Sequence, residues 1–232
     1  MTVINFFSRN KYLTLFNYYF LLSSGCKIVS NHRIQVVTNR LRFPTVLDPT
    51  ADSSICLVFS PIQQMPNFDA QTFADSLTFD KCFQHSKRLT AYFGNTSYNY
   101  SSTKHTPTPL SANLIVQNCI TTLNDTFPNQ GLNSVLINYY PHANAMIPFH
   151  ADDEADICNG SYIFTFSIGS TRTMTFRNKV DKQHMLKIAL SHGSLICFSK
   201  FSQNFYEHAV LTSDNPGLNT GPRISLTFRK LL

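Results

Sequence analysis

The sequence predicts an α+β protein that is mainly β, with an antiparallel sandwich or double-stranded barrel in its C-terminal half. The chain has 232 residues, of which 43% are hydrophobic, and this suffices for one sizeable core. After the turn at Gly131 come short segments rich in β-branched and aromatic residues, with turn residues between them. The predicted strands are 134–140 (SVLINYY), 162–168 (YIFTFSI), 173–177 (TMTFR), 194–199 (SLICFS) and 224–229 (ISLTFR).

The N-terminal segment is basic. Residues 1–50 contain six of the 19 Lys and Arg residues and one of the 13 acids, a net charge of +5, so residues 51–232 carry only +1. We therefore predict a basic extension of uncertain fold over residues 1–54, in front of a domain at 55–232. The extension either contacts phosphates or carries ordinary solvated charge. A polar stretch at 47–54 (LDPTADSS) predicts a linker.

Membrane insertion and secretion are not favoured. No apolar run reaches the ~18 residues that a membrane-spanning helix needs. Residues 12–26 (YLTLFNYYFLLSSGC) have the shape of a weak signal sequence, but Asn17 and three tyrosines interrupt it, which favours an element packed on the core. The six cysteines are widely spaced and form no CxxC, which predicts reduced thiols in the cytoplasm and neither a zinc site nor a disulfide scaffold.

Two features are expected in the middle of the chain. Residues 94–109 (GNTSYNYSSTKHTPTP) predict a long polar loop with aromatic residues, and such loops are often functional. Thr108 is expected to cap a helix of about four turns, with Pro109 at its first position. The apolar residues expected on one face of this helix are Leu110, Leu114, Val116, Ile120 and Leu123.

The segment FHADDEADIC, residues 149–158, contains one histidine and four carboxylates, in a chain that is only 14% charged. In an extended chain, residues two apart face the same way, so His150 and Asp152 project together. They offer two of the three ligands of a facial triad for Fe(II). Among eight histidines, His208 is preferred as the third ligand because it lies in an alternating segment before the last strand. His192 lies in a turn and is expected to form local hydrogen bonds.

The last strand, RISLTFR, alternates polar and apolar residues. Arg223, Ser225, Thr227 and Arg229 share one face, and this places two arginines towards a polar interior. Six residues span ~20 Å, and two side chains of roughly 7 Å leave ~6 Å between the guanidinium groups, about the length of a five-carbon dicarboxylate. The pair therefore suits 2-oxoglutarate, since guanidinium groups bind carboxylates in bidentate fashion. The alternative is an edge strand with basic residues facing solvent.

Together these segments resemble the AlkB family of Fe(II)- and 2-oxoglutarate-dependent dioxygenases. The resemblance covers roughly residues 55–232, and its closest form is the AlkB-like domain of plus-strand plant RNA virus replicase polyproteins. The cellular nucleic-acid demethylases of the animal type are also close. The matching segments, in the family's order, are RLTAYFG (88–94), YNYSS (98–102), VLINYYPHANAMIPFHADDE (135–154), SHGSLICF (191–198), His208 and RISLTFRKLL (223–232). The resemblance implies a jelly-roll, cupin-like double-stranded β-helix with flanking N-terminal helices and a nucleotide-recognition lid.

The resemblance also assigns roles to residues. The implied iron ligands are His150, Asp152 and His208. The implied 2-oxoglutarate contacts are Asn138, Tyr140, Arg223, Thr227 and Arg229. The implied contacts to the substrate base are Asp153 and Glu154, with Tyr98 and Tyr100 in the lid and Arg88 just before it. Ser225 departs from the pattern, because many family members have Asn there, and this implies a shorter or water-mediated contact to 2-oxoglutarate.

The implied activity is oxidative demethylation of bases such as 1-methyladenine and 3-methylcytosine in single-stranded RNA or DNA, with RNA favoured. The implied cofactors are Fe(II), 2-oxoglutarate and O2, with ascorbate as a supporting reductant. If the source is viral, the expected setting is a replication complex in the host cytoplasm, with other replicase domains as partners. Two alternatives stay open, namely a peptide hydroxylase with the same iron site and a non-catalytic RNA-binding module. Tyr98 and Tyr100 either stack on a base or only pack the loop down.

Overall fold

The computed structural model describes residues 57–59, 69–83, 85–100, 103–183, 185–212 and 221–232. The predicted extension at 1–54 lies outside these ranges, together with its apolar stretch at 12–26 and the linker at 47–54. In the described part of the chain, no helix is both long enough and apolar enough to cross a membrane.

Thirteen strands and two α-helices form the described domain. In chain order they are β1 (Leu57–Phe59), α1 (Ala70–Asp75), β2 (Lys81–Phe83), β3 (Arg88–Gly94), β4 (Tyr98–Tyr100), β5 (Thr103–His105), α2 (Leu114–Thr126), β6 (Ser134–Tyr140), β7 (Ile147–His150), β8 (Tyr162–Gly169), β9 (Arg172–Asn178), β10 (Met185–Leu190), β11 (Leu195–Ser199), β12 (Tyr206–Val210) and β13 (Arg223–Arg229). The five predicted strands correspond to β6, β8, β9, β11 and β13, and each is confirmed to within one residue at either end.

The strands form two antiparallel sheets and a hairpin. The large sheet has the order β1-β11-β8-β13-β6-β3-β2, and the small sheet has the order β10-β9-β12-β7. The hairpin consists of β4 and β5. The two sheets face each other, which confirms the predicted fold class, a double-stranded β-helix with helices at its flank.

Strand β13 separates the two sides of the large sheet. Ile224, Leu226 and Phe228 pack into a hydrophobic cluster that also contains the buried faces of α1 and α2. The alternate residues from Arg223 to Arg229 point the other way, into the space between the sheets, and all of them are buried. The period of two in this strand therefore places a polar face inside the barrel, as the sequence predicts.

The start of α2 differs from the prediction. The helix begins at Leu114, and Asn113 caps it by accepting hydrogen bonds from the amides of Ile115 and Val116 at 3.0 and 3.2 Å. Thr108 is extended instead, because its carbonyl accepts a hydrogen bond from the Gly94 amide at 2.9 Å along the edge of β3. Residues 110–112 form a separate 3₁₀ turn, and Leu114 is exposed rather than part of the core.

The predicted long loop at 94–109 contains the β4–β5 hairpin. Alternation of tyrosine with polar residues suits a short strand, and Tyr98 and Tyr100 are both buried. The hairpin is tied to the domain at two points. Asp156 accepts hydrogen bonds from the backbone and side-chain nitrogens of Asn99 at 3.1 and 3.2 Å, and His105 Nδ1 lies 2.6 Å from Asp80 Oδ2. Asp156 therefore helps to position the hairpin.

Gly169 closes one end of the barrel, where β8 pairs with Arg223 of β13. Its φ is +89°, and a Cβ at this position would lie 2.3 Å from the carbonyl oxygen of Pro222. Its amide donates to Nδ1 of His192 at 3.0 Å, which agrees with the local role expected for that histidine. Only glycine satisfies both the backbone angle and the close approach.

Substitution of Gly169 by Ala should destabilise the fold strongly. Gly160→Ala is the matched control, since Gly160 has a φ of +75° but no atom within 4 Å of an added Cβ. The control should lose about 1–2 kcal/mol through the backbone angle alone. Gly169→Ala should lose at least ~2 kcal/mol more in urea unfolding because of the clash. Equal losses for the two variants would contradict this account of the barrel end.

Candidate active site

Strand pairing brings three metal-ligand side chains together. His208 of β12 lies directly opposite His150 of β7, and their ring centroids are 4.3 Å apart. Asp152 follows two residues after His150, and its Oδ1 lies 3.6 Å from His150 Nε2. One ligand atom from each of the three residues lies within 4.8 Å of the others. The trio predicted from the sequence is therefore assembled in one place.

The chemistry of this trio fits a divalent metal. His150 Nδ1 donates to the carbonyl of Pro148 at 2.9 Å, which leaves Nε2 with a free lone pair. Among the described residues, neither Asp152 Oδ1 nor His208 Nδ1 has a hydrogen-bond partner, although both atoms are buried. Burial and the neighbouring His150 lower the pKa of His208 to about 3, and burial also lowers the pKa of His150. Both imidazoles are therefore neutral at pH 7, the form that binds metal, and two histidines with one carboxylate suit Fe(II).

Asp152 is held from several sides. Its Oδ2 accepts a 2.6 Å hydrogen bond from Nη2 of Arg229, and its amide donates to Oε1 of Gln203 at 3.0 Å. Lys200 Nζ lies 3.4 Å from the Asp152 carbonyl and donates to the carbonyl of Glu154 at 3.1 Å. Burial acts to raise the pKa of Asp152, but Arg229 and the two histidines outweigh it and hold the pKa below its usual range. The sequence does not predict the contacts of Gln203 and Lys200, because nothing in their spacing links them to residue 152.

The predicted 2-oxoglutarate residues line the inner face of the large sheet. Arg223 is fully buried and donates to Oγ of Ser167 at 2.9 Å, while its Nε and Nη1 have no partner in the described part of the chain. Tyr140 lies opposite Arg223 on β6, and the Arg223 guanidinium carbon is 5.2 Å from the centre of its ring. The other predicted contacts on this face, Asn138, Ser225 and Thr227, are also buried.

Two arginines in this region bind other residues of the site. Arg229, predicted to hold a carboxylate of 2-oxoglutarate, is bound to the metal ligand Asp152. Arg88, predicted to contact substrate, is buried and donates to Oδ1 of Asn138 at 2.8 Å. Its guanidinium carbon also lies 4.5 Å from the ring centre of Phe83. Arg229 therefore links the 2-oxoglutarate wall to Asp152. Arg88 links Asn138 of that wall to the hairpin, since its guanidinium carbon lies 5.7 Å from the ring centre of Tyr100. The contacts of both arginines to ligands stay predictions.

Tyrosine side chains line the other side of the metal site. The rings of Tyr100 and His150 meet edge to face, with centroids 6.1 Å apart and planes at 90°. Tyr98 lies beside Tyr100, with ring centroids 6.1 Å apart, and the Arg229 guanidinium carbon is 5.4 Å from its ring centre. The hairpin therefore forms a wall of the site next to a metal ligand.

The two acids after Asp152 differ in their surroundings. Asp153 is exposed, and its Oδ2 pairs with Lys179 Nζ at 3.2 Å. Glu154 is half-buried, and burial together with Asp152 raises its pKa to about 7. Its Oε2 is buried and has no hydrogen-bond partner among the described residues. Of the two acids, Glu154 is thus the one available on the inside of the site.

A double-stranded β-helix that gathers two histidines and one carboxylate, next to a buried arginine, defines the class of Fe(II)- and 2-oxoglutarate-dependent oxygenases. The sequence model of the 2OG-Fe(II) oxygenase superfamily matches residues 43–229, and the chain belongs to this superfamily. The cofactors of the class are Fe(II), 2-oxoglutarate and O2, and the residues described above fit them.

The curated relatives are AlkB homologues. The "Alpha-ketoglutarate-dependent dioxygenase alkB homolog 3" of Bos taurus is 27% identical over 202 residues, which cover 79% of this chain and 68% of that protein. The homolog 3 of Homo sapiens is 30% identical and covers 61% of this chain and 51% of that protein. The "DNA oxidative demethylase ALKBH2" of Bos taurus is 33% identical over 110 residues, 44% of this chain and 38% of that protein. The chain thus spans about two thirds of the first relative, about half of the second and less than two fifths of the third.

The structure of OsALKBH1 aligns with 62% of this chain and 78% of that chain, at a TM-score of 0.42 and 20% identity, a likeness too weak to argue from. The resemblance to AlkB proteins is nevertheless confirmed by the superfamily match and by these relatives. The viral replicase setting stays a prediction.

Removal of Asp152 should abolish Fe(II) binding. Asp152→Ala leaves two neutral imidazoles for a dication, whereas Asp153→Ala removes an equal charge one residue away, from an exposed side chain. Metal content after anaerobic loading and gel filtration should fall from about one iron per chain to near zero in the first variant only. Stoichiometric iron in Asp152→Ala would contradict the assignment.

Arg223→Lys should weaken 2-oxoglutarate binding by tenfold or more. Lysine keeps the charge but cannot form the paired hydrogen bonds of a guanidinium group, and it also loses the contact to Ser167. The dissociation constant is measured by titration of the Fe(II)-loaded protein without oxygen, with thermal unfolding as the check on folding. An unchanged dissociation constant in a folded variant would remove Arg223 from the 2-oxoglutarate site.

Proposed function

We propose that this protein oxidatively demethylates N-methylated bases, of the 1-methyladenine and 3-methylcytosine type, in single-stranded nucleic acid. The observation that carries the proposal is the tyrosine hairpin beside the metal ligands, with Tyr100 in edge contact with His150. Aromatic side chains stack on bases without regard to sequence. The relative named DNA oxidative demethylase ALKBH2 supports the same activity.

The charges of the site suit a methylated base. Methylation at N1 of adenine or N3 of cytosine makes the base cationic, and a carboxylate attracts a cation most strongly where water is excluded. Glu154, whose pKa is raised to about 7, has a buried oxygen without a partner among the described residues, so it can accept a hydrogen bond from the base. A cationic base beside it favours the charged form of this carboxyl group. Asp153, which is exposed and paired with Lys179, is placed to act at the rim of the site.

Entry of a base requires the hairpin to move. Tyr98 and Tyr100 are 1% and 4% exposed, so neither ring offers an open face for stacking. A two-stranded hairpin is only marginally stable by itself. Its polar ties to the domain include those of Asn99 with Asp156 and of His105 with Asp80. A shift of β4 away from His150 would let a base lie against Tyr100 and beside Glu154. Single strands favour this, because the base leaves its stack at lower cost.

The residues of the site have separate roles in this reaction. Fe(II) with 2-oxoglutarate and O2 supplies the oxidant that hydroxylates an N-methyl group, with succinate and carbon dioxide as co-products; the hydroxymethyl product then loses formaldehyde. His150, Asp152 and His208 hold the metal, and Arg229 keeps the carboxylate of Asp152 oriented. Arg223, which Ser167 and Tyr140 contact, would hold the cosubstrate. The buried tyrosines exclude water from the reacting methyl group.

We further propose RNA as the favoured substrate and the cytoplasm as the location. RNA is supported by the resemblance to domains of plant RNA virus replicases and by no individual residue. The cytoplasm is supported by the spacing of the cysteines, which is typical of reduced thiols. Other replicase domains are the partners that this setting favours.

The test is formaldehyde release from single-stranded RNA and DNA that carry 1-methyladenine or 3-methylcytosine. We expect release with Fe(II) and 2-oxoglutarate, none from His208→Ala, and faster release from RNA than from DNA. Tyr100→Ala should raise KM for the oligonucleotide by roughly tenfold through lost stacking, and Tyr100→Phe should keep it near the wild-type value.

Three results separate the alternatives. Turnover of 2-oxoglutarate without formaldehyde from any oligonucleotide would favour a peptide hydroxylase. RNA binding that His208→Ala leaves unchanged, with no turnover at all, would favour a non-catalytic module. Equal rates on RNA and DNA would overturn the RNA preference alone.

A further inference from the structure

We propose that Arg172 is the second cation of the site for the far carboxylate of 2-oxoglutarate, and that it selects 2-oxo dicarboxylates over 2-oxo monocarboxylates. In this role it is a cosubstrate-binding residue that acts together with Arg223. The inference rests on the use of 2-oxoglutarate in the proposed function and not on which base is demethylated.

Arg172 and Arg223 approach the same tyrosine from different sheets. Arg172 is the first residue of β9 in the small sheet, and Arg223 is the first residue of β13 in the large sheet. Their guanidinium carbons lie 5.7 and 5.2 Å from the ring centre of Tyr140. Both guanidinium groups therefore lie near the ring of Tyr140 in the space between the sheets, at the end of the barrel that Gly169 closes.

Both side chains are buried without a counter-ion. Arg172 is 1% exposed and Arg223 is 0% exposed. Neither forms an ion pair with a described residue, and the one buried carboxylate among those residues, Asp152, is bound to Arg229. Two buried like charges are costly unless an anion compensates them. The pair therefore indicates a binding site for an anionic group.

The unused hydrogen-bond donors show where this anion binds. Nη1 of Arg172 and both Nε and Nη1 of Arg223 are buried and have no partner among the described residues. Nη2 of Arg172 donates to the carbonyls of Ala145 and Leu211, each at 2.8 Å. These two bonds fix the guanidinium group before any ligand arrives, so that its free Nη1 is already in place.

A purely structural role for Arg172 is the competing explanation, since it ties the segment before β7 to the segment after β12. The two roles differ in what they do to selectivity. Loss of a structural tie would weaken binding of every 2-oxo acid. Loss of a contact to the far carboxylate would weaken only those acids that have one.

The test compares 2-oxoglutarate with 2-oxopentanoate, which has the same five-carbon chain without the far carboxylate. Dissociation constants for the Fe(II)-loaded protein are measured by calorimetry without oxygen. The variants are Arg172→Gln and, as matched control, Arg177→Gln, which removes a charge from the same strand where Arg177 pairs with Glu207 outside the pocket. We expect Arg172→Gln to raise the constant for 2-oxoglutarate by about tenfold and to leave that for 2-oxopentanoate within about twofold. Arg177→Gln should change neither.

Equal weakening of both acids, or no change in either, would overturn the proposal. If Arg172→Gln does not fold, a crystal structure of the wild-type protein with Mn(II) and 2-oxoglutarate decides. The far carboxylate should then contact both Arg223 and Nη1 of Arg172, directly or through one water, and contact with Arg223 alone would overturn the role of Arg172.

A wild-type protein that binds 2-oxoglutarate but releases no formaldehyde would contradict the demethylase function while leaving this inference intact. A wild-type protein that binds no 2-oxoglutarate would contradict both.

Discussion

The pairing of His208 with His150 across β12 and β7 is the contact on which the site depends. A shift of one residue in this register would turn His208 away from His150, because side chains alternate along a strand. The 3₁₀ turn that leads into β12 contains Gln203, which accepts the amide hydrogen of Asp152. The pairing therefore fixes the position of His208, and the turn before β12 holds the backbone of Asp152. The small sheet thus positions both histidines of the site.

The large sheet contributes most of the buried charge. Four arginines are buried among the described residues, namely Arg88, Arg223 and Arg229 of the large sheet and Arg172 of the small sheet, whereas Asp152 is the one buried carboxylate. The bond between Arg229 and Asp152 neutralises one of these cations and orients the carboxylate towards the histidines. The remaining positive charge lies in a space that excludes water, where an anion is bound far more strongly than at the surface. A dianionic cosubstrate next to Arg223 would offset the two positive charges that Fe(II) adds next to Asp152.

Much of this arrangement could be predicted from the sequence, because it depends on alternation within single strands. The face that Arg223, Ser225, Thr227 and Arg229 share needs only the period of two, and the structure has it. The link between Arg229 and Asp152 was beyond such reasoning, since it depends on how two sheets face each other. Arg172 was missed for the same reason, because in the sequence it is only the residue after a turn.

Backbone hydrogen bonds explain two other differences between the predicted and the observed structure. Thr108 is a good helix cap by residue type, but its carbonyl is engaged by the edge of β3, and Asn113 caps α2 instead. Tyr98 and Tyr100 lie in a segment whose polar composition predicts a loop, yet their alternation produces a strand with both rings buried. In both places the backbone hydrogen bonds, which composition does not reveal, decided the structure.

The central claim is that one barrel mouth holds a ferrous ion and 2-oxoglutarate between the two sheets. Anomalous diffraction at the iron absorption edge, from crystals grown with both and without oxygen, tests it most directly. The account predicts a single strong peak bonded to His150, Asp152 and His208, with the cosubstrate extending from the metal to Arg223. An iron peak elsewhere, or a cosubstrate bound away from Arg223, would contradict it.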